Sequence, residues 1–181
     1  GRVIGIFYLV PLVYFTFKGQ LNKKNIFIFY SIFIIICFQG FIGWYMVKSG
    51  LSERVDVSHF RLSMHLTIAF LILILVFWNY LRFRNTNYLI SKKKLPFNLP
   101  IFFVFLVLLQ ISIGALVSGL DAGQIYQTWP LMNQSFFPDD SLLIDLLNFK
   151  SLSQPSLVQF IHRNLAYFII LIFLIMFFLI F

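Results

Sequence analysis

The chain has 181 residues, of which 60% are hydrophobic and 11% charged, and its mean hydropathy is +0.91. A soluble domain is about 45–50% apolar and about 25% charged, so a water-soluble globule and a disordered chain are both excluded. The net charge of +8 would suit nucleic acid by sign, but the charges sit in short clusters between long apolar runs, which excludes that class. What remains is an integral membrane protein: an all-α, polytopic bundle of transmembrane helices in contact with the lipid bilayer.

A spanning helix needs roughly 20 apolar residues at about 1.5 Å each, and five runs are expected to span. They are Val3 to Phe17, Ile26 to Val47, Leu62 to Leu81, Leu99 to Leu120 and Leu157 to Phe181. The first is short; Pro11 interrupts it and no small-residue cleavage site follows, so it is not read as a signal peptide. No initiator Met opens the chain and its last run is apolar to the end, so it is expected to be an internal piece of a longer protein. The single cysteine, Cys37, lies inside an apolar run and offers neither a disulfide framework nor a Cys-based metal site.

The loops alternate in charge. Lys18, Lys23 and Lys24 follow the first span, and Arg82, Arg84, Lys92, Lys93 and Lys94 follow the third, with no acid among them. The loop after the second mixes Lys48, Arg54 and Arg61 with Glu53 and Asp56; the long loop after the fourth sets Lys150 against Asp121, Asp139, Asp140 and Asp145. The positive-inside rule puts the basic loops in the cytoplasm and the others outside. Trp44, Tyr45 and Trp129 then fall near the outer boundary, and Trp78 and Tyr80 near the inner one, as an aromatic belt.

The second and fourth spans echo each other. Gln39-Gly40-Phe41-Ile42-Gly43 stands beside Gln110-Ile111-Ser112-Ile113-Gly114, and each is followed by a Val and a Ser-Gly-Leu. The third and fifth share His65-x3-Ala69-Phe70 and His162-x3-Ala166-Tyr167. The repeat unit reads as a helical hairpin with a His near the outer end of its returning helix, and membrane bundles do duplicate about an axis along the membrane normal.

No Asp, Glu or Lys lies within an apolar span, so His65 and His162 are the main interior titratable groups, and an intramembrane ionisable residue is a functional hypothesis by default. Two imidazoles at similar depth on neighbouring helices can hold something between them. Zinc takes four N, S or O ligands, and the spans supply no Cys pair or carboxylate nearby. A haem needs only one or two axial ligands and an apolar slot, for which Ala69 and Ala166 leave room. The alternative is a His bonded to a backbone carbonyl or an interhelical partner, and the residues alone allow either. His59, six residues and about 240° from His65, reads as an interfacial polar residue, with Ser58 at the cap of the third helix. Arg61 and Arg163 either anchor at the outer interface or pair with carboxylates. Gly40, Gly43, Gly114 and Gly119 permit close helix approach. The outer loop through Trp129 reads as ordered, either a lid over an outer-leaflet site or a surface loop.

The run Gly114-Ala115-Leu116-Val117-Ser118-Gly119-Leu120-Asp121-Ala122-Gly123, continuing through Tyr126, Thr128, Trp129, Pro130, Leu131 and Met132, resembles the fifth-helix and loop signature of haem A synthases of the alphaproteobacterial and mitochondrial branch. Val158-Gln159-Phe160-Ile161-His162-Arg163-Asn164-Leu165-Ala166-Tyr167 resembles that family's sixth-helix motif, with Ile161 where Asn is usual. Val57-Ser58-His59-Phe60-Arg61-Leu62-Ser63-Met64-His65-Leu66 resembles its fourth-helix motif, in which the second His is the ligand. Gly1-Arg2-Val3-Ile4-Gly5 is similar to the tail of its second-helix motif.

This resemblance implies eight helices in two pseudo-repeated four-helix halves, of which the five spans are helices two to six. Residues 1–98 would belong to the N-terminal, substrate-haem half and 99–181 would begin the C-terminal, haem b half. It implies His65 as a ligand of the substrate-side haem and His162 as a ligand of haem b, with iron as the metal and Arg61 and Arg163 as propionate partners. The partner histidines and the catalytic acid would lie outside the chain, the acid upstream of Gly1. The implied activity is an oxidoreductase that converts a methyl group of haem O to the formyl group of haem A, for cytochrome oxidase. It would act in a bacterial inner membrane, or a mitochondrial one, with haem O synthase, cytochrome oxidase assembly factors and a second copy of the chain as implied partners. The alternatives are a two-haem membrane cytochrome b that carries electrons without substrate chemistry, and a transporter or assembly protein with structural histidines.

Overall fold

The computed structural model describes residues 2–50, 57–84, 95–96 and 98–180. The expectations placed on Gly1, Leu51, Glu53, Arg54, Asp56 and the three lysines 92–94 lie outside the described residues. Five α-helices carry the fold: α1 (Arg2–Phe17), α2 (Lys23–Gly50), α3 (His59–Arg84), α4 (Asn98–Gly119) and α5 (Pro155–Ile180). Short 3-10 turns at Ala122–Gln124, Leu143–Leu147 and Phe149–Ser153 interrupt the connection from α4 to α5. Among the described residues the only β pairing is one isolated bridge, Met132 with Ser135.

Four helices, α2 to α5, are long and apolar enough to cross a membrane. The expected fifth span is the exception. Helix α1 is apolar but has only 16 residues, about 24 Å of rise against a hydrocarbon core of about 30 Å. Pro11 lies inside it. The other helices extend past their apolar runs by a few residues, because polar interfacial residues such as Lys23, Lys24, Arg82 and Arg84 continue the backbone pattern.

The chain divides into two compact units, Gly1–Val57 with Ile68–Thr86, and Ser58–Thr67 with Asn87–Phe181. In the first, Tyr8 donates to the Phe29 carbonyl at 3.2 Å and stacks on Phe33, which holds α1 against α2. Phe29 stacks on Phe83 at 5.8 Å. The C-terminal end of α3, with Arg82 and Arg84, therefore lies beside the N-terminal end of α2, with Lys23 and Lys24. That clustering of cations at one end agrees with the orientation read from the loop charges.

In the second unit α4 packs on α5 around Ile113, Leu116 and Val158, with Val117, Leu120, Leu152, Ile161 and Leu165 against them. The N-terminal turns of α3 approach α4 closely. A Cβ on Gly119 would stand 2.9 Å from the Cα of His59, so glycine is what lets the two backbones meet. Further along, Ser63 Oγ donates to the Ser112 carbonyl at 2.7 Å, and Thr67 Oγ1 bonds Ser112 Oγ at 2.7 Å. Contacts that run from Gly119 back to Ser112 as α3 runs forward show the two helices passing in opposite directions. Such hydroxyl pairs are the polar glue of apolar helix interfaces, worth about 1 kcal/mol each.

Candidate functional site

His162 lies on the α4 side of α5. Its ring is seated against Gly114, where a Cβ would come 3.0 Å from Cε1 and 3.6 Å from Nδ1. One turn earlier on the same face of α4, Gln110 Nε2 donates to the His162 carbonyl at 3.1 Å and stands 3.3 Å from the ring Nε2. The ring Nδ1 and Gln110 Oε1 are buried without a hydrogen-bond partner among the described residues. Buried polar atoms nearly always find partners, so such a cluster asks for an explanation. The neighbouring positions Ile113, Ile161 and Leu165 belong to the apolar cluster between α4 and α5. A half-buried ring with one nitrogen left unsatisfied makes His162 a candidate ligand. Ile161, where the motif usually has Asn, joins the apolar cluster and makes no polar contact of that kind.

His65 is half-buried on α3, and its Nδ1 is enclosed. Ser63 and Thr67, two residues to either side, both face α4. Two residues are about 200° of helix, so His65 lies on the side of α3 away from α4. On α4, Ser112 faces α3, while Gln110 and Gly114 face His162, again about 200° away. Helix α4 therefore stands between the two imidazoles. The two rings therefore do not meet across one helix interface. Arg61, one turn before His65, shares its face of α3 and is half-buried.

Arg163 faces neither histidine. Its Nη1 donates to the Thr128 carbonyl at 2.8 Å and its Nη2 to the Tyr126 carbonyl at 2.6 Å. The Tyr126 carbonyl also accepts from Gln159 Nε2 at 2.8 Å, which fills both its lone pairs. Two of the five guanidinium donors are thus directed at loop backbone rather than at open space. Sequence pattern offered propionate pairing or interfacial anchoring for this side chain and did not reveal a loop clamp.

The clamp is part of a longer seam. Ser156, Gln159, Phe160, Arg163 and Tyr167 form one stripe on α5, and all five contact the loop. Ser156 Oγ donates to Asp140; Phe160 meets Phe136 and Phe137 edge-on; Trp129 Nε1 donates to Tyr167 Oη at 2.7 Å. From Ser156 to Tyr167 is about 16 Å of helix, so the loop runs down the side of α5 past the level of His162. Met132, Pro138 and Tyr126 are buried beneath it. Non-helical backbone at that depth persists only where protein satisfies its polar groups, and Arg163 and Gln159 do so here. The loop is ordered, as expected. Its left-handed residues are Asp121 at φ 50° and Asn133 at φ 63°, residue types that tolerate that region, while Gly119 serves the close approach to His59.

Asp140 sits at the top of the seam. Its slight burial raises its pKa, but hydrogen bonds from Ser156, Ser141 and Tyr126 outweigh that and hold the carboxyl below its ordinary range. Burial, then the Asp140 charge, push the Tyr126 phenol up. His59, read as interfacial, points its Nε2 at Ser153 Oγ, 3.4 Å away, and packs at a tilt beside Phe60, which stacks on Phe149. Ser58 occupies the cap position of α3: its carbonyl accepts the first helical bond, from Leu62 N–H.

The residues that pattern reading missed are Gln110 as the partner of His162, and Tyr126, Gln159 and Asp140 in the loop seam. A signal for the first existed. Gln110 and Gly114 are two of the positions echoed by Gln39 and Gly43, one turn apart on one helix face.

Comparison with known proteins identifies relatives of the chain. The family described as cytochrome oxidase assembly protein (COX15-CtaA) matches residues 1–181. A protein named Heme A synthase from Pelagibacter ubique is 48% identical over 169 residues, covering 92% of this chain and 49% of that protein. Proteins of the same name from Rickettsia bellii and Rickettsia africae are 42% and 40% identical; the alignments cover 92% and 95% of this chain, and 50% and 52% of theirs. The chain spans about half the length of the curated relatives it matches. No solved structure matches it. With four spans and these bacterial homologues, it is a multi-pass inner-membrane protein.

Proposed function

The chain belongs to the COX15-CtaA family of cytochrome oxidase assembly proteins, and on that premise we propose that it carries the haem-binding histidines of a haem A synthase. The reaction is the oxidation of a methyl group of haem O to a formyl group, which makes the whole protein an oxidoreductase. His162 is the ligand of a haem b cofactor and His65 a ligand of the substrate-side haem, in the halves 99–181 and 1–98. The observation that carries this reading is the seat of His162: a half-buried imidazole against Gly114, with a ring nitrogen that no group among the described residues satisfies. Support for two sites rather than one comes from α4, which stands between the histidines.

Haem b, when bound, supplies a one-electron relay. The chain's own residues do the rest. Neutral imidazole is the ligating form. Gly114 lets the ring pack closely against α4. The seam made by Gln159, Arg163 and Tyr167 fixes the loop along α5 and keeps water from that side of the helix. Arg61, on the His65 face of α3, is the propionate partner this arrangement favours; Arg163 has two donors committed to the loop.

The test is a visible spectrum of the purified full-length protein, with its haems extracted and separated by chromatography. Haem b together with haem O or haem A is the expected result. Haem b alone would favour a membrane cytochrome that only carries electrons, and no Soret band would remove the haem reading altogether.

A further inference from the structure

The connection from α4 to α5 carries a second feature besides its seam with α5. Along residues 142–149, the side chains of Leu142, Leu143, Ile144, Leu147 and Phe149 are turned outward, from 66% exposed at Ile144 to 84% at Leu147. Apolar residues scattered singly over a surface mean little, but a contiguous run marks a place that meets another apolar medium. Asp145 is the one charged residue of the run, and its Oδ2 accepts from the Leu142 N–H at 2.9 Å. The backbone bonds to itself in the same way. Asp145 N–H donates to the Leu142 carbonyl at 2.9 Å, and Asn148 N–H to that of Asp145 at 3.0 Å. Lys150, just past the run, is exposed.

The level of the run is fixed by helix ends. Gln154 alone separates the 3-10 turn Phe149–Ser153 from Pro155, the first residue of α5. The Phe149 ring stacks on Phe60, in the first turn of α3, with centroids 6.1 Å apart. The next residue, His59, is the one whose Cα approaches Gly119, where α4 ends. Three membrane-crossing helices therefore end beside the run. Its side chains also leave in more than one direction. Successive residues of a 3-10 turn are about 120° apart, so Leu143 and Ile144 do not lie on one face, yet both are exposed. A folded partner covers one face of such a segment, whereas lipid surrounds it.

We propose that residues 142–149 form an interfacial segment that lies in the surface layer of the bilayer, with Leu143, Ile144, Leu147 and Phe149 among lipid acyl chains. Such a segment needs apolar side chains toward the lipid and backbone groups satisfied from within, and this one has both. Lys150 is placed to meet the lipid phosphates, its long stem reaching from the apolar side to the charged layer. The segment gives the connection an attachment that depends neither on Arg163 nor on the reading of His162.

The test uses the full-length protein in vesicles of phosphatidylethanolamine and phosphatidylglycerol, with its native cysteines, Cys37 included, replaced by serine. Ile144→Cys and Leu147→Cys each carry a nitroxide spin label; both positions are exposed, so neither label disturbs packing. Collision of the label with oxygen, which concentrates in lipid, is compared with collision with a water-soluble nickel chelate. Both labels are expected to meet oxygen freely and to be shielded from nickel. Free access of nickel at both positions would overturn the proposal by placing the run in water. Shielding from both reagents would overturn it as well, by placing protein over the run, whether the rest of the chain, a second copy or another subunit.

Discussion

The imidazole of His162 rests on the Cα of Gly114 so closely that a Cβ there would stand 3.0 Å from Cε1. That single contact fixes how near α5 comes to α4 at the level of the proposed haem ligand. Gly114→Ala forces the ring to give by a few tenths of an ångström, and Gly114→Val forces more. Overpacking of this kind costs about 1–3 kcal/mol. The expected outcome is a graded loss of haem b per protein, smaller for Ala than for Val, read from the Soret band of the purified full-length protein. Full haem content in Gly114→Val would mean that the ring turns elsewhere on binding.

Gly119→Ala is expected to act differently, because its obstacle is backbone. The added Cβ would lie 2.9 Å from the His59 Cα, and no rotamer change relieves that. The entry of α3 must move away from α4, which pulls on Ser63 and Thr67 and hence on the face that carries His65. Thermal stability is expected to fall, with a cost of about 1–3 kcal/mol, and binding at the His65 side to weaken, while haem b at His162 is retained. Equal loss at both sites would argue against separate seats.

How much of this was legible in the sequence follows from what is one-dimensional. The length of an apolar run is local, so α2 to α5 could be read directly. Helix α1 met the apolar criterion but not the length. The histidines stood out because nothing else in the spans titrates. Their partners did not. Gln110 reads as a repeat residue and Gly114 as a packing glycine until α5 is laid against α4. Arg163 was beyond reach because its partners are carbonyls 35 and 37 residues away, brought to it by a loop whose path no periodicity sets.

Arg163→Lys removes the planar fork that reaches two carbonyls at once. A lysine keeps the charge but satisfies at most one of them well, leaving Thr128 or Tyr126 short of a donor at a cost of about 2 kcal/mol. The loop backbone around residues 126–132 is expected to exchange its amide hydrogens at least ten times faster, with the helices unaffected. Unchanged exchange would show that Gln159 and Trp129 hold the loop without it.

The loop should also respond to acid with a defined sign. Asp140 has its pKa lowered in the folded chain by Ser156, Ser141 and Tyr126. Its contribution is therefore present above the unfolded value of about 3.9 and is lost as the pH falls through the lower, folded one. Tyr126, raised by burial and by Asp140, contributes below its unfolded value of about 10 and loses that contribution as the pH rises through the folded one. Hydrogen exchange of residues 126–141, corrected for intrinsic rates, is expected to be flat from about pH 5 to pH 9 and to quicken only outside that window. Opening centred near pH 6 would point to a histidine instead.

The most direct measurement is the haem inventory of three full-length variants, His65→Ala, His162→Ala and the double substitution, extracted and separated beside wild type. His162→Ala should lose haem b and keep haem O, His65→Ala should lose haem O and its conversion to haem A while keeping haem b, and the double variant should hold neither. Retention of the wild-type haems by either single variant, or loss of both haems from each, would contradict two histidines serving two haems on opposite sides of α4.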